Sequence, residues 1–207
     1  MNPVNEPSVS DLFAALPAID LDAQQRLHDR LVVAAEAEDV LDIAYRTIDT
    51  PVGVLLLAAT SRGLVRVAYD REDHAKVLET LAARVSPRIL NAPARLDSVV
   101  REAEEYFAGT RRMFEVPLDL RLATGFRLGV LAHLTEIAYG HTESYAEVAT
   151  AAGSPKAVRA VGSACATNPL PVFVPCHRVV RSDGSSGGYV GGVDAKHALL
   201  ALEAAAA

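Results

Sequence analysis

The chain has 207 residues, half of them hydrophobic, so it can bury a sizeable core in one large or two small domains and is not a disordered polypeptide. Its two cysteines are too few for a disulfide framework and are expected to be free thiols. Apolar runs end well before the roughly 20 residues that a membrane helix needs, and the polar, acidic start does not resemble a signal peptide, so we expect no membrane partner and a cytoplasmic location.

The net charge of −6 is unevenly distributed along the chain. Residues 1–40 contain eight acidic and two basic residues, a difference of −6, so the remaining 167 residues are neutral overall. Residues 148–182 contain four basic residues and no acidic one. Such a segment can form a positive surface that binds phosphate, because salt screens charges beyond about 8 Å. A solvated face without a ligand is the other interpretation of this pattern.

The first part of the chain combines an acidic helix with short strands. Residues 10–40 are expected to be helical, with Ser10 as the N-cap. Three runs rich in branched and aromatic residues, separated by turn residues, predict an antiparallel meander. The predicted strands of the meander cover 42–48, 52–60 and 64–69, the following helices cover 72–84 and 96–107, and a further strand covers 114–118.

From residue 124 onward the sequence predicts mainly helices, because apolar residues recur at helical spacing. A tight turn at Gly153 separates two short helices, and Ser154 and Pro155 suit the cap and first turn of the second. Such a pair is a helix-turn-helix pattern, whose second helix would present Lys156 and Arg159 to DNA. Many helical pairs never contact DNA, so the pattern alone leaves this function open. The predicted helices cover 126–138, 144–152, 156–166 and 194–205.

The stretch 174–180, VPCHRVV, places a thiol beside an imidazole. Cys176 can be a buried core thiol, a catalytic nucleophile or half of a metal site. Structural zinc sites need about four closely spaced ligands, which neither residue has nearby, so we expect no metal and no cofactor. Adjacent side chains on an extended segment point to opposite faces. His177 would therefore act on Cys176 only through a turn or a bridging water.

Residues 185–192 read SSGGYVGG and contain four glycines. The segment lacks the lysine of a phosphate-binding P-loop. It can be a flexible linker or a loop that approaches another surface closely. Because the pair Tyr189 and Val190 lies inside it, we favour the wall of a pocket.

These motifs together resemble a known family. Residues 168–180, which include PCHRV, and the glycine loop 187–192 look like the active site of the O6-alkylguanine-DNA alkyltransferases, also called methylated-DNA-protein-cysteine methyltransferases. Residues 153–162, GSPKAVRAVG, resemble the helix-turn-helix of that family, and TPVG at 50–53 resembles the start of its N-terminal domain. The resemblance covers the chain from residue 42 to residue 203.

The resemblance implies an α+β fold. It combines an N-terminal antiparallel β-sheet with flanking helices, similar to ribonuclease H, and a mainly helical C-terminal domain that contains the helix-turn-helix. We expect an acidic helical extension over 1–40, an N-terminal α/β domain over 41–122 and a C-terminal helix-turn-helix and active-site domain over 123–207. The acidic extension has no counterpart in the family core and is expected to pack away from the DNA-binding helix.

The implied activity is DNA repair by direct, irreversible transfer of the alkyl group from O6-alkylguanine, and also from O4-alkylthymine, to a cysteine after the base is flipped out. The implied partner is double-stranded DNA, bound through its minor groove by a monomer that reacts once. Cys176 is the implied nucleophile, and His177 is its base, acting through water. Glu203 orients His177, and Asn168 buttresses the active-site turn.

The resemblance also assigns DNA contacts and an alkyl pocket. Arg159 matches the arginine finger that fills the vacated base stack, and Tyr145 matches the tyrosine that assists rotation of the nucleotide. The implied DNA-binding residues are Tyr145, Lys156, Arg159, Ala160 and Arg178. The implied pocket residues are Tyr145, Pro171, Val179, Tyr189, Val190 and Gly191.

Four residues in three places depart from the family pattern. Gly125-Phe126-Arg127 replaces the common Pro-Phe-Gln, Leu131 replaces a frequent Trp, and Val190 replaces a frequent Ser, which leaves the pocket width open. A non-catalytic sensor of alkylated DNA is an alternative function, but the family relatives of that kind lack the cysteine that this chain keeps. A Cys-His thiol hydrolase is a second alternative, which would leave the helix-turn-helix without a role.

Overall fold

The computed structural model describes residues 20–206, which fall into two compact units that divide after Val40. Among the described residues, the first unit consists of helix α1, Leu21–Ala37. The Asp20 side chain accepts a 2.9 Å hydrogen bond from the amide of Ala23 and so caps this helix. The cap predicted at Ser10 lies outside the described residues.

The second unit begins with a four-stranded sheet in the order β3-β2-β1-β4. Its first three strands form the antiparallel meander that the sequence predicts. The fourth strand, which the sequence pattern does not predict, pairs parallel with β1, so the sheet is mixed rather than antiparallel throughout. The strands are β1 (Ile43–Ile48), β2 (Leu55–Thr60), β3 (Gly63–Tyr69) and β4 (Ile89–Asn91).

The prediction of a strand over 114–118 is wrong. This segment makes only an isolated parallel bridge between Leu64 and Leu118. Pro117 lacks an amide proton and therefore cannot continue a ladder of hydrogen bonds. Its carbonyl oxygen accepts a 2.8 Å hydrogen bond from the Leu64 amide, and it lies so close to Gly63 that a Cβ atom there would collide with it.

Two helices cover the sheet, as the sequence predicts: α2 (His74–Arg84) and α3 (Asp97–Phe107). Helix α2 buries Val77 and Leu81 against one face of the sheet, and a single apolar cluster results. On α3 the buried face ends in Tyr106, which is fully buried and points toward the C-terminal half of the second unit. The apolar cluster of the sheet and α2 comprises Ile43, Leu56, Ala58, Val65, Ala68, Val77, Leu81 and Leu122.

The C-terminal half is mainly helical and contains the predicted helix-turn-helix. The Ser144 side chain accepts a hydrogen bond from the Glu147 amide while Glu147 accepts one from the Ser144 amide, a capping box that begins α5. Gly153, with φ of +73°, lies in the turn that follows. The elements are α4 (Phe126–Leu134), β5 (Glu143–Ser144), α5 (Tyr145–Ala151), α6 (Val158–Ala166), β6 (Val179–Val180) and α7 (Val193–Ala205).

Two helix ends differ from the prediction. Helix α4 ends at Leu134 instead of residue 138, because the chain continues in tight turns toward Gly140. Helix α6 begins at Val158, and the residues predicted to start it, Ser154 and Pro155, instead form a separate turn closed by a 2.8 Å hydrogen bond from the Ala157 amide to the Ser154 carbonyl oxygen. Between residues 20 and 206, no helix is long and apolar enough to cross a membrane.

Candidate active site

Cys176 lies in a tight turn rather than in an extended segment. Residues Cys176–Arg178 form one turn of 3-10 helix that leads into β6, and the Cys176 amide donates a 2.8 Å hydrogen bond to the Val174 carbonyl oxygen. Upstream, the buried Val172 has φ of +76°, a conformation that β-branched residues rarely adopt. The packing around the turn therefore holds a strained backbone. The expectation that Cys176 and His177 share an extended segment is wrong, because the chain turns between them.

Asn168 clamps this turn with its side-chain amide. Its Nδ2 donates to the Val174 carbonyl oxygen at 2.8 Å and to the Cys176 Sγ at 3.1 Å, while its Oδ1 accepts from the Leu170 amide at 3.0 Å. The residue is 1% exposed, so water cannot replace these bonds. Asn168 thus holds both the backbone before Cys176 and the sulfur itself.

The Cys176 thiol is neutral in the resting site. Burial raises its pKa to about 11, although the hydrogen bond from Asn168 and the positive charge of Lys196 act in the opposite direction. Lys196 is itself buried and donates a hydrogen bond to the Val179 carbonyl oxygen. A nucleophilic thiolate therefore needs a base that takes the proton during the reaction.

His177 is built to accept a proton. It is fully buried, and its Nε2 lies 2.8 Å from the Glu203 Oε1. Because a carboxylate only accepts, Nε2 carries the proton and Nδ1 presents a lone pair. Among the described residues, no protein atom pairs with that Nδ1. Burial lowers the pKa of His177 below its usual 6.5, although Glu203 acts in the opposite direction, so the ring is neutral at pH 7.

Glu203 is the centre of a buried network. Burial favours its neutral form, but hydrogen bonds from His177 and Arg178 outweigh burial and lower its pKa to about 2. The Arg178 guanidinium contacts both carboxylate oxygens at 2.9 Å, and the Gly140 amide adds a 3.1 Å bond. Glu203 is therefore ionised and fixed beside the imidazole.

Arg178 does not belong to the DNA-binding surface, which corrects the assignment made from the sequence. It is 6% exposed, its guanidinium is held by Glu203, and its Nη1 donates to the Ile137 carbonyl oxygen at 2.6 Å. A buried guanidinium with these partners cannot reach a phosphate. The role of Arg178 is to hold Glu203.

Sequence reasoning missed Tyr106 and Lys196. The Tyr106 hydroxyl donates to the Glu203 Oε1 at 2.7 Å across a separation of 97 residues, and no local pattern reveals such a contact. The burial of Lys196 could have been predicted from its position in the sequence. It precedes Leu199 and Glu203 by three and seven residues, so all three lie on one face of the last helix, the face that is expected to be buried.

The glycine loop, residues 187–192, lies against the turn Cys176–Arg178, called the nucleophile turn below. The Tyr189 ring stands edge-on to the His177 ring, with centroids 6.3 Å apart, and a Cβ atom at Gly187 would collide with the Tyr145 hydroxyl. Pro171 and Val179, which the sequence assigns to the pocket, are buried, and their place in a pocket stays a prediction. The structure thus brings Tyr189 to His177 and the glycine loop to Tyr145. Val190, next to Gly191, also lines a cavity of 430 Å³ between α2 and the end of α6.

The second helix of the helix-turn-helix and the turn before it expose two basic side chains. Lys156, Arg159 and Ala160 are all exposed, and Tyr145 is half-buried at the start of α5. The absence of acidic residues over 148–182 leaves this surface positive. Within residues 20–206, no group of three or more His, Cys, Asp or Glu side chains could hold a metal ion.

Comparison with known proteins identifies the family. The DNA binding domain of 6-O-methylguanine DNA methyltransferase matches residues 125–205, and the ribonuclease-like domain of the same family matches residues 43–120. The constitutive methylated-DNA-protein-cysteine methyltransferase of Bacillus subtilis (strain 168) is 39% identical over 163 residues, which cover 77% of this chain and 94% of that protein. The corresponding protein of Mycobacterium bovis is 40% identical over 161 residues, 78% of this chain and 92% of that protein.

A solved structure agrees with these sequence matches. The crystal structure of Mycobacterium tuberculosis OGT in complex with DNA superimposes with a TM-score of 0.70 at 39% identity, covering 79% of this chain and 94% of that chain. The resemblance found in the sequence motifs and the expected fold class are confirmed. The chain belongs to the 6-O-methylguanine DNA methyltransferase family.

Proposed function

We propose that this protein repairs DNA by transferring the alkyl group of O6-alkylguanine, and of O4-alkylthymine, directly to Cys176. The observation that carries the proposal is the arrangement of the thiol: Asn168 clamps its sulfur, and a neutral imidazole fixed by an ionised Glu203 lies next to it in the chain. The relatives with this family's domains are named methylated-DNA-protein-cysteine methyltransferases. No cofactor is needed for such a direct transfer.

The proposed reaction is a single displacement. The thiol proton passes to His177, and the sulfur then forms a bond to the alkyl carbon while the bond from that carbon to O6 breaks. Guanine leaves with the electron pair and takes up a proton, and the protein keeps a thioether. Because a thioether is stable, each molecule reacts once.

The proton relay runs through water in this proposal. The Nδ1 of His177 supports it, because this buried ring nitrogen has no hydrogen-bond partner within residues 20–206, whereas such an atom normally has one. Its lone pair is the basic site that the transfer needs. Tyr106 and Arg178 act by holding Glu203, which in turn holds the ring.

The lesion must leave the duplex to reach a buried sulfur. Flipping a nucleotide costs a few kcal/mol, least for a damaged pair. We assign to Arg159 the filling of the vacated stack, with Lys156 and Ala160 beside the backbone in the minor groove, whose degenerate code suits repair that ignores sequence. The flipped base would lie in a pocket walled by Tyr145, Pro171, Val179, Tyr189, Val190 and Gly191.

Three features of the whole protein are part of this proposal. It acts as a monomer in the cytoplasm, where the DNA of its bacterial relatives lies. It divides into an acidic helical extension over 1–40, an α/β domain over 41–122 and an active-site domain over 123–207. The family matches over 43–120 and 125–205 support the last two boundaries.

The test uses a duplex with one O6-methylguanine and maps the protein's peptides by mass spectrometry. We expect a methyl group on the Cys176 peptide and none on the Cys165 peptide, because both thiols are buried and neutral but Cys176 is the one with its sulfur held by Asn168 and with the base His177 next to it in the chain. Cys176→Ser should leave the lesion intact. Tight binding without an adduct would instead identify a sensor of alkylated DNA, and turnover of a thioester without DNA would identify a hydrolase.

A further inference from the structure

Tyr69, at the end of β3, contacts the glycine loop although it belongs to the other family domain. Its hydroxyl lies 3.0 Å from the Tyr189 hydroxyl, and the two rings meet edge-on with centroids 5.8 Å apart. Tyr69 is 3% exposed. The side chain is thus enclosed and joined to the aromatic residue that faces His177.

The loop backbone rests directly on the Tyr69 ring. A Cβ atom at Gly191 would lie 2.5 Å from the ring carbon Cζ, and a Cβ atom at Gly192 would lie 2.5 Å from the Arg71 Nη1. On its other side the loop meets Tyr145 at Gly187. The loop therefore has no room to retreat from the active site while the Tyr69 ring is present.

The same end of β3 also holds the nucleophile turn. The Val67 amide donates a 2.8 Å hydrogen bond to the Pro169 carbonyl oxygen, and Arg66 donates to the same oxygen at 3.2 Å. Pro169 directly follows Asn168, whose amide holds the Cys176 sulfur. Three residues near the end of β3, Arg66, Val67 and Tyr69, therefore contact both the segment that leads to Cys176 and the glycine loop.

We infer that Tyr69 is a positioning residue that sets the width of the alkyl pocket and thereby selects which alkyl groups reach Cys176. The inference rests on the proposed function. The ring supports the loop from behind, and the hydroxyl fixes the orientation of Tyr189. Removing the ring opens space beneath Gly191, into which the wall moves when a bulky group enters.

The test compares transfer rates for O6-methylguanine and O6-benzylguanine in the same duplex. In Tyr69→Ala, we expect the ratio of benzyl to methyl rates to rise about tenfold, the size of effect that small changes in pocket fit produce. In Tyr69→Phe, which keeps the ring, we expect the ratio to rise about threefold, as for loss of one net hydrogen bond. Thermal unfolding of both variants measures how far each change destabilises the fold. A loss of folded protein lowers the two transfer rates by the same factor and so leaves their ratio unchanged.

Tyr45→Phe is the matched control. Tyr45 lies in the same sheet, packed against the cluster under α2, and its variant should leave the ratio unchanged. If both Tyr69 variants change the two rates by the same factor or leave them unchanged, Tyr69 is merely structural and the inference is wrong. If the unaltered protein transfers neither group, the proposed function fails, and the inference fails with it.

Discussion

Cys176 is the proposed nucleophile, yet burial keeps its thiol in the less reactive neutral form. Burial raises the pKa of the Cys176 thiol to about 11, whereas many cysteine nucleophiles are exposed thiolates with a lowered pKa. A neutral thiol resists general electrophiles and reacts only when a base removes its proton. For a protein that reacts once, this protects the sulfur until a flipped base is present.

The pH dependence of transfer tests the role of His177. Burial lowers its pKa below 6.5, so the ring stays neutral and able to accept a proton at pH 7, and it becomes protonated only at a lower pH. Glu203, with a pKa of about 2, stays ionised throughout. We therefore expect the methyl-transfer rate, measured by rapid quench, to stay level as pH falls from about 8 to 6.5 and to decline below that.

Glu203→Gln supplies the control for this profile. Without the carboxylate, the imidazolium loses its stabilising partner, so the rate should fall at every pH. A wild-type decline centred above pH 6.5 would mean that a different group accepts the proton.

Asn168→Ala tests the clamp on the active-site turn. The change leaves the buried Leu170 amide without its partner and removes the hydrogen bonds from Asn168 to the Cys176 sulfur and to the Val174 carbonyl oxygen, which keeps its bond from the Cys176 amide. An unsatisfied buried group costs about 1–3 kcal/mol, so urea unfolding should show a loss of about 2 kcal/mol. Thr167→Ala, at the exposed neighbouring position, should stay within about 0.5 kcal/mol of the unaltered protein. Equal losses in the two variants would contradict the clamp.

At the level of elements, helix α6 and the turn before it carry the cationic side chains that we propose contact DNA. Arg159 lies near the start of α6 and Lys156 lies in the turn before it. Both are exposed, and we propose different roles for them. In the proposed function, Arg159 fills the base stack, whereas Lys156 neutralises phosphate. Comparing transfer from a duplex with transfer from a free base separates the two roles.

Arg159→Ala should slow transfer from duplex DNA by about a hundredfold, since flipping is worth a few kcal/mol. Transfer from the free base O6-benzylguanine should be unchanged, because no flipping is required. Lys156→Ala should instead weaken duplex binding uniformly and reduce the salt dependence by about one counterion. A loss of free-base transfer in Arg159→Ala would show that the residue supports the fold rather than flipping.

The elements also show which features the sequence could reveal. The meander was predictable because branched residues alternate with clear turns, and helix α3 because its apolar face recurs at helical spacing. Strand β4 was not predictable, because a strand of three residues is too short to show an alternating pattern. In the site, PCHRV identifies Cys176 as the nucleophile only together with the helix-turn-helix and the glycine loop. The partners of Glu203 are joined by the tertiary fold alone, as the contact with Tyr106 illustrates.

At the scale of the whole molecule, the two family domains share one active site. Tyr106, in the segment matched by the ribonuclease-like domain, hydrogen bonds to Glu203, and Tyr69 hydrogen bonds to Tyr189. The N-terminal domain therefore supplies buried contacts to the catalytic network. Its sheet is part of the active-site scaffold.

The acidic residues 1–40 precede the segments that match the family. The family match begins at residue 43, and the relatives that match 77–78% of this chain are covered over 92–94% of their own length. Removing residues 1–40 should leave the affinity for duplex DNA unchanged at physiological salt, measured by fluorescence anisotropy. A much weaker affinity would show that the segment takes part in DNA binding.

The stoichiometry of methyl transfer tests the central claim most directly. The protein is titrated with a large excess of duplex carrying labelled O6-methylguanine, and the label bound to protein is counted over time together with the repaired DNA. We predict that both quantities stop at one per protein molecule and that all the label lies on Cys176. Repair that continues beyond one equivalent, or label elsewhere in the chain, would contradict irreversible transfer to this thiol.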